Sequence, residues 1–385
     1  MIMFYNKSFL LPLFLSLSPC TLLFAQSNFK HKFEKSSLYA GIDIGSKGVK
    51  LSVLEITKNA QKNGAFMVVK DTAINTDFIS FTPATFHATL NAVYKLYSMA
   101  TRGYSILPDR VYTVVSSGIG MQAKKEEKAE WISMLIDSFR IMINRHEQPV
   151  PVIDVEIEAR LSHLGIVPEE RRYNTFLIDI GSGNTKGGYF PNGNTKDFKL
   201  FQLNWGTKSV ANATEKRLEE DKSLGNFYKQ LFRVLEGAEH SDIVYTINES
   251  GAYPMTDYIA FSGGIAWSVA TLASPELTEN PVVAVTFADV QRLNDRLLNN
   301  FKSLSDSSIL KTIIDKTLDK TAIATEIKKV HQVFDQKSLL AGTGLLLKVM
   351  RQFVSIYEEK KFYLVKTGQV GWISAYVFTG QHIMK

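Results

Sequence analysis

The residues of this chain best suited to chemistry form a repeated segment. Asp-Ile-Gly-Ser-x-x-x-Lys occurs at residues 43–50 and again at residues 179–186, each time after an apolar run. Glycine lets the backbone turn sharply, and successive backbone N–H groups in such a turn form a concave site for an anion. Two facing copies would hold a phosphate chain from both sides. An ordinary β-hairpin with a glycine turn explains one copy more easily than it explains two.

Backbone N–H groups and hydroxyls of the two turns are candidate phosphate ligands. The phosphate-binding candidates are Gly45, Ser46, Lys47 and Gly48 in the first copy and Gly181, Ser182, Gly183, Asn184, Thr185 and Lys186 in the second. Asp43 and Asp179 end the preceding strands, and a carboxylate there can hold a hydrated Mg²⁺ beside the phosphates. Each aspartate could instead cap local N–H groups at the start of its turn. Neither copy has the Gly-x-x-x-x-Gly-Lys-Ser/Thr spacing of a Walker A loop.

These residues can meet only if the surrounding elements bring the two turns together. Each copy has the pattern of a strand, a tight turn and a second strand, with the return strands over residues 49–56 and 187–190. Apolar residues at helical spacing predict three helices, over residues 83–100, 129–144 and 286–304. The charged run at residues 124–128 is expected to be the solvated start of a helix. This mixture of elements predicts an α/β fold with helices on both faces of the sheets.

Length and composition favour a globular chain of two domains. Of the 385 residues, 45% are hydrophobic and 21% are charged, which excludes a disordered, collagen-like or disulfide-rich chain. Basic residues exceed acidic residues by 44 to 38, and the net charge of +6 is compatible with an anionic partner. The sequence has no long run of lysine and arginine, so its charge pattern does not indicate nucleic-acid binding. Because the 7 histidines are scattered and there is 1 cysteine, a structural zinc site is excluded.

The first 26 residues have the pattern of a secretory signal peptide. Residues 8–25 are uncharged and rich in leucine and phenylalanine, and two prolines in the run argue against a stable membrane span. We expect cleavage after Ala25 and export to the periplasm or out of the cell. Anchoring as a lipoprotein through Cys20 is a less favoured alternative because Pro19 precedes it, and an uncleaved anchor is another. Because ATP is scarce outside the cytoplasm, export disfavours an ATP-driven kinase.

Five further stretches occur in an order that resembles a known family. They are residues 111–117, 155–165, 203–208, 261–266 and 339–347. Together with the two glycine turns they resemble the exopolyphosphatase/guanosine pentaphosphate phosphatase (Ppx/GppA) family of the actin, Hsp70 and sugar-kinase superfamily. The resemblance implies an α/β fold of two ribonuclease-H-like, actin-like ATPase domains with mixed sheets flanked by helices and a cleft between the domains. It divides the chain into residues 37–160, with the first phosphate loop, and residues 161–385, with the second.

The resemblance also implies catalytic roles. Glu158 stands where the family has a glutamate that orients or deprotonates the attacking water, although a helix N-terminus favours a glutamate for its own reasons. Asp179 would be a second catalytic residue and would hold Mg²⁺ together with Asp43. Gly263 and Gly264 resemble the family's third glycine turn, which would support a nucleotide base.

The chain departs from the family at the end of the second loop. Lys186 replaces a glutamate that helps to bind metal in the family, and Lys47 adds a cation to the first loop. A lysine could grip phosphate directly and substitute for part of the cation, or it could abolish hydrolysis. The family's arginine after the strand at residues 111–117 is also missing.

Three functions stay open at this point. The first is an exported phosphohydrolase that cleaves phosphoanhydride bonds with Mg²⁺, with inorganic polyphosphate as the leading substrate and a phosphorylated nucleotide as the other. The second is a binding or scaffold protein that keeps the phosphate clamp without hydrolysis. The third is an ATP-binding, actin-like or kinase-like protein. The sequence does not decide whether the chain is a homodimer.

Overall fold

The computed structural model of the protein describes residues 31–46, 48–58, 60, 66–354, 359–368 and 371–379. The predicted signal peptide, Cys20 and Lys47 lie outside these residues. Within the described ranges, no helix combines the length and the apolar character that crossing a membrane requires.

The first sheet has four strands. They are β1 (Ser36–Gly45), β2 (Gly48–Thr57), β3 (Phe66–Asn75) and β4 (Val111–Val115), in the spatial order β3-β2-β1-β4. The first three pair as antiparallel neighbours, whereas β4 lies parallel to β1. The turn between β1 and β2 is the first glycine turn, so the predicted strand–turn–strand unit is present.

The second sheet has six strands. They are β5 (Thr175–Ile180), β6 (Thr185–Tyr189), β7 (Lys199–Leu203), β8 (Tyr258–Ser262), β9 (Val282–Val285) and β10 (Lys361–Val365). Their order is β7-β6-β5-β8-β10-β9, with β8 parallel to β5. The four strands β7-β6-β5-β8 therefore repeat the arrangement of the whole first sheet, and the second glycine turn joins β5 to β6. Two mixed sheets of this kind confirm the predicted α/β fold.

Helices flank both sheets. They are α1 (Pro83–Ser98), α2 (Ser117–Lys125), α3 (Ala129–Met142), α4 (Val155–Ile166), α5 (Thr207–Glu215), α6 (Leu224–Ala238), α7 (Val244–Ser250), α8 (Ala252–Met255), α9 (Gly264–Ala273), α10 (Phe287–Asn299), α11 (Asp306–Thr312), α12 (Lys320–Val333), α13 (Gln336–Val354) and α14 (Gly371–Thr379). Helix α1 begins where expected because Thr82 accepts a hydrogen bond from Thr85 N–H and proline occupies the first turn.

Two predicted helices differ from the observed ones in extent or position. The helix expected over residues 286–304 ends at Asn299, and a separate short 3₁₀ turn follows from Phe301 to Leu304. The prediction that residues 124–128 begin a helix is wrong. Lys124 and Lys125 form the last turn of α2, where lysine interacts favourably with the helix dipole, and the positive φ of 57° at Glu127 separates α2 from α3.

Separate apolar cores lie beside the two sheets, and a third cluster joins them. One core contains Ile42, Leu51 and Phe139, and another contains Phe176, Phe261 and Leu346. The third cluster combines side chains of β2 and β4 with those of α4 and α14. Helices α4 and α14 therefore pack together between the sheets. The predicted boundary after residue 160 falls inside α4, and that division of the chain stays a prediction.

Candidate functional site

The two hairpins present the same pair of side chains. Asp43 of β1 lies directly opposite Lys50 of β2, and Asp179 of β5 lies directly opposite Lys186 of β6. Residues directly opposite each other in an antiparallel pair project from the same face of the sheet. Each aspartate therefore has the lysine of its own repeat beside it. Lys50 was not among the predicted site residues, although it ends the first repeat as Lys186 ends the second.

The second turn is built by close backbone packing. The N–H of Gly181 donates to the carbonyl of Asn184 at 2.9 Å, and the carbonyl of Ser182 accepts from Lys208 N–H at 2.8 Å. A Cβ at Gly206 would lie 2.7 Å from the carbonyl oxygens of Gly181 and Ser182, so only glycine fits there. Ser182 and Gly183 are exposed at the tip. The turn therefore has a rigid base and an open tip.

The hydroxyl of Thr185 has a different environment from the rest of the turn. Its side chain is fully buried and donates to the carbonyl of Trp205 at 2.7 Å. This hydrogen bond commits the Thr185 hydroxyl to holding the second turn against the segment that leads into α5. In the first turn, a Cβ at Gly118 would lie 3.1 Å from Ser46 Oγ. The first turn therefore sits against the start of α2.

Glu158 lies in the first turn of α4 and is held at both carboxylate oxygens. Oε2 accepts a hydrogen bond from Ser117 Oγ at 2.6 Å, and Oε1 forms an ion pair with Lys186 Nζ. The Glu158 and Lys186 side chains are 19% and 14% exposed, so this pair is partly shielded from water. Asp154 fixes the start of α4 by accepting from Ile157 N–H at 2.7 Å. Glu158 thus connects α2, beside the first sheet, to β6 of the second.

The two aspartates of this site, Asp43 and Asp179, resist ionisation because they are buried. Burial raises the pKa of Asp43 to about 6, with Lys50 opposing the shift. Burial likewise raises the pKa of Asp179, although Lys186 and a 2.9 Å hydrogen bond from Ser262 Oγ act in the other direction. Burial opposes the charged form of Lys186, but the three neighbouring carboxylates raise its pKa above the ordinary value. Asp43, Glu158, Asp179 and the two lysines therefore form one electrostatic cluster.

The donor atoms of this cluster fit a magnesium ion shared with a phosphate. Oδ1 of Asp43 is buried and has no hydrogen-bond partner among the described residues. Mg²⁺ is usually bound through one or two carboxylates, with water and phosphate oxygens completing its shell. Asp43 and Asp179 provide that number of carboxylates. No group of three potential ligands from His, Cys, Asp and Glu gathers in the part of the chain that the structure describes. Two carboxylates do not complete the shell of Mg²⁺, so an ion held by Asp43 and Asp179 would need water and phosphate oxygens as well.

Gly263 and Gly264 make close contacts with the protein's own atoms. Gly263 has a φ of 94°, and a Cβ there would overlap the carbonyl oxygen of Ile180. A Cβ at Gly264 would lie 3.0 Å from the Phe334 ring. The glycines thus allow the turn between β8 and α9 to pack against β5 and Phe334. Their predicted role in holding a nucleotide stays a prediction.

Two serines belong to the site in addition to Lys50. Ser117 contacts Glu158, and Ser262 contacts Asp179. Ser117 follows the buried strand β4 and Ser262 is the last residue of β8, but a serine at the end of a strand is too common to be recognised from sequence. Their partners are distant in sequence, 41 residues for Ser117 and 83 for Ser262, so only the fold reveals these pairs.

Comparisons with known proteins identify the fold. No family model matches the chain, and no curated protein matches it. Among solved structures, the Ppx/GppA family member from Aquifex aeolicus has 18% identity and a TM-score of 0.57, covering 90% of this chain and 99% of that one. The type II variant of that phosphatase has 18% identity and a TM-score of 0.56, with 87% and 98% covered. An exopolyphosphatase from Cytophaga hutchinsonii has 14% identity and a TM-score of 0.52, with 91% and 99% covered.

These similarities extend over nearly the whole length of each solved structure, so they concern the complete arrangement of both sheets. The resemblance predicted from the glycine turns and the five ordered stretches is confirmed at the level of the fold. This chain has the α/β fold of the Ppx/GppA proteins.

Proposed function

We propose that the protein releases the terminal phosphate of a phosphoanhydride by hydrolysis. The observation that carries this proposal is the placement of Glu158, whose carboxylate is fixed by Ser117 and Lys186 among the Asp–Lys pairs of two glycine turns. A fixed carboxylate beside a phosphate site can accept the proton of the water consumed in hydrolysis. The similarity to solved Ppx/GppA phosphatases supports the same reaction class.

The chain's own residues divide the work of binding between the two repeats. The tip of the second turn, where Ser182 and Gly183 are exposed, and the start of α2 beside the first turn would offer backbone N–H groups to the phosphate oxygens. Lys50 and Lys186 supply positive charge from equivalent positions. Asp43 and Asp179 would hold Mg²⁺, and the ion would neutralise charge on the phosphoryl oxygens. Glu158 then takes the proton from water.

Inorganic polyphosphate is the proposed substrate. The net charge of +6 favours a polyanion, and the repeated turns suit a ligand with several phosphates in a row. The similar structure from Cytophaga hutchinsonii is described as an exopolyphosphatase. Guanosine pentaphosphate is the second candidate. The similar Aquifex aeolicus proteins are described as Ppx/GppA, a name that covers exopolyphosphatases and guanosine pentaphosphate phosphatases.

A phosphate-binding protein without hydrolysis is the alternative that a specific observation favours. Lys186 forms an ion pair with Glu158, so the carboxylate proposed as the base is already engaged by an ammonium group in the structure. In that case the site would bind phosphate chains without hydrolysing them.

One experiment separates these functions. Purified protein is incubated with Mg²⁺ and long-chain polyphosphate, guanosine pentaphosphate or ATP, and phosphate release and binding are both measured. We expect phosphate release that is fastest with polyphosphate. Saturable binding without release would support the binding protein, and neither binding nor release would contradict both functions. Export through residues 1–26 is proposed as well, and sequencing the mature N-terminus from cell fractions tests it.

A further inference from the structure

One ammonium group lies among the three carboxylates of the site. Lys186 Nζ forms an ion pair with Glu158 Oε1, and Lys186 is directly opposite Asp179 in the sheet. Burial opposes the charged form of Lys186, but Glu158, Asp179 and Asp43 together raise its pKa above the ordinary value. The Lys186 side chain is 14% exposed, so water screens these attractions only in part. Lys186 is therefore a resident cation of the cluster.

Lys50, at the equivalent position of the first repeat, has a different environment. It lies opposite Asp43 in the first hairpin, but its side chain is exposed. Within the residues that the structure describes, Lys50 forms no hydrogen bond or ion pair. The two lysines are equivalent in the topology, yet only Lys186 is enclosed by carboxylates. The enclosed cation is therefore a particular feature of the second repeat.

The three carboxylates differ in how available they are to a metal ion. Both oxygens of Glu158 are engaged by protein donors, Oε2 by Ser117 Oγ at 2.6 Å and Oε1 by Lys186. Asp43 Oδ1, in contrast, is buried and has no hydrogen-bond partner among the described residues. Asp179 accepts a hydrogen bond through Oδ1, which leaves its second oxygen. The two aspartates can therefore act as metal ligands while Lys186 occupies Glu158.

The charges of the cluster nearly balance without a second metal ion. When ionised, Asp43, Asp179 and Glu158 contribute three negative charges, and Lys186 and Lys50 contribute two positive charges. One Mg²⁺ would make the cluster positive, which suits an anionic phosphate. A second divalent ion would need oxygen ligands of its own, and the remaining carboxylate, Glu158, is already engaged by Lys186. The ammonium therefore supplies positive charge where a second ion has no free carboxylate.

We propose that Lys186 is a built-in counter-cation that does the work of a second divalent ion, so that the site holds a single Mg²⁺ through Asp43 and Asp179. This inference rests on the proposed function, because it concerns the Mg²⁺ that acts on the phosphate. It follows that residue 186 sets how many ions the protein binds. A carboxylate at this position would remove the ammonium, release Glu158 from its ion pair and add a further ligand. A second divalent ion would then both find ligands and be needed for charge balance.

The first test counts bound ions without turnover. Purified protein is titrated with Mn²⁺, which prefers oxygen ligands as Mg²⁺ does, and free Mn²⁺ is measured by electron paramagnetic resonance. The titration contains no phosphate, so that only the chain's own residues and water act as ligands. We expect one Mn²⁺ per chain in the wild type and two in Lys186→Glu. Two ions in the wild type, or one in folded Lys186→Glu, would overturn the proposal.

The control for this count is Lys222→Glu. It makes the same change of charge at an exposed position in the segment between α5 and α6. We expect it to bind one Mn²⁺ per chain, as the wild type does. A second ion in Lys222→Glu would mean that net charge rather than residue 186 sets the count, and this would overturn the proposal.

A neutral variant keeps the inference testable if Lys186→Glu does not fold. Lys186→Met keeps an unbranched side chain, removes the charge and adds no carboxylate. Because the wild-type ammonium repels a nearby divalent ion, we expect Lys186→Met to bind Mn²⁺ about tenfold more tightly than the wild type. Equal affinities would show that Lys186 does not act on the ion and would overturn the proposal.

Phosphate release from tripolyphosphate with Mg²⁺ is measured on the same preparations, which separates this inference from the proposed function. The expected ion counts without phosphate release would support the counter-cation and contradict hydrolysis. Phosphate release by a wild type that binds two ions would do the reverse. A wild type that binds no Mn²⁺ and releases no phosphate would overturn both.

Discussion

At the residue scale, the main departure from expectation is what Lys186 contacts. The sequence predicts Lys186 as a direct phosphate ligand, and in the structure its ammonium forms an ion pair with Glu158. A bound phosphate would therefore compete with Glu158 for this lysine. Such an exchange would free the carboxylate at the moment the substrate arrives.

Replacing Lys186 should separate its contribution to binding from that of the metal. We expect Lys186→Gln to weaken tripolyphosphate binding by about 10- to 100-fold, since a hydrogen bond to a charged group contributes about 1.5–3 kcal/mol. Lys186→Glu adds a fourth carboxylate to the cluster and should make binding depend more strongly on Mg²⁺ than in the wild type. Isothermal titration calorimetry with and without EDTA measures both effects, with the exposed Lys222→Gln as control. Equal affinities for wild type and Lys186→Gln would contradict this role.

The raised pKa of Asp43 predicts how metal use depends on pH. Burial raises this pKa to about 6, so the carboxyl is ionised above that pH and protonated below it. A protonated carboxyl is a poor Mg²⁺ ligand. The Mg²⁺ concentration that half-saturates phosphate release should therefore rise as the pH falls from 7.5 to 5. In Asp43→Asn this dependence should be weaker. A half-saturating concentration that is the same at both pH values would contradict the assignment of Asp43 to the metal.

At the element scale, the contact between α4 and α14 leaves no room at Gly165 for a side chain larger than that of glycine. A Cβ at Gly165 would overlap the carbonyl oxygen of Gly371, so the two helices cross with almost no space between their backbones. Gly165→Ala should lower the free energy of unfolding by about 3 kcal/mol, the upper end of the cost of overpacking. In the control Gly237→Ala, the new methyl group meets nothing within 4 Å, and the change should be neutral or stabilising. Chemical denaturation of both variants measures this, and equal stabilities would contradict the crossing.

Helix α4 also carries the residue that should govern stability in acid. His163 is fully buried, its Nε2 donates to the Thr175 carbonyl at 3.0 Å, and burial lowers its pKa to about 4. The unfolded chain takes up this proton near the ordinary pKa of 6.5, so stability is complete above that value and is lost as the pH falls towards 4. The loss from this residue should reach about 3 kcal/mol at pH 4.

The matched variant for that effect is His163→Gln, which keeps a donor for the Thr175 carbonyl and cannot titrate. Denaturation at pH 7.5 and pH 4.5 should show a smaller loss of stability in the variant than in the wild type. The same loss in both proteins would mean that His163 does not control the acid response.

At the scale of the whole molecule, the repeat in the sequence is also a repeat in the topology. The order β3-β2-β1-β4 in the first sheet matches β7-β6-β5-β8 in the second. The sequence predicted this much because each Asp-Ile-Gly-Ser unit needs a strand before it and a strand after it. The helices over residues 83–98 and 129–142 were predictable because their apolar faces are regular and local.

Other features depend on contacts that no local pattern encodes. The packing of α14 beside α4 joins residues about 200 positions apart, and the Ser117–Glu158 and Ser262–Asp179 pairs are similarly distant. The end of the helix at Asn299 and the break at Glu127 follow from single-residue conformations within polar stretches. The glycine turns and the carboxylates of the candidate site were therefore predictable from the sequence. The residues that hold those carboxylates could be identified only from the fold.

The most direct test of the central claim compares two glutamates of the same helix turn. Glu158→Gln keeps the size of the proposed base and removes its ability to take a proton, while Glu156→Gln makes the same change at an exposed position two residues earlier. With tripolyphosphate and Mg²⁺, we expect phosphate release to fall by about 10²–10⁴-fold in Glu158→Gln and to be unchanged in Glu156→Gln. Phosphate release by Glu158→Gln at the wild-type rate would contradict the assignment of this site as the catalytic centre.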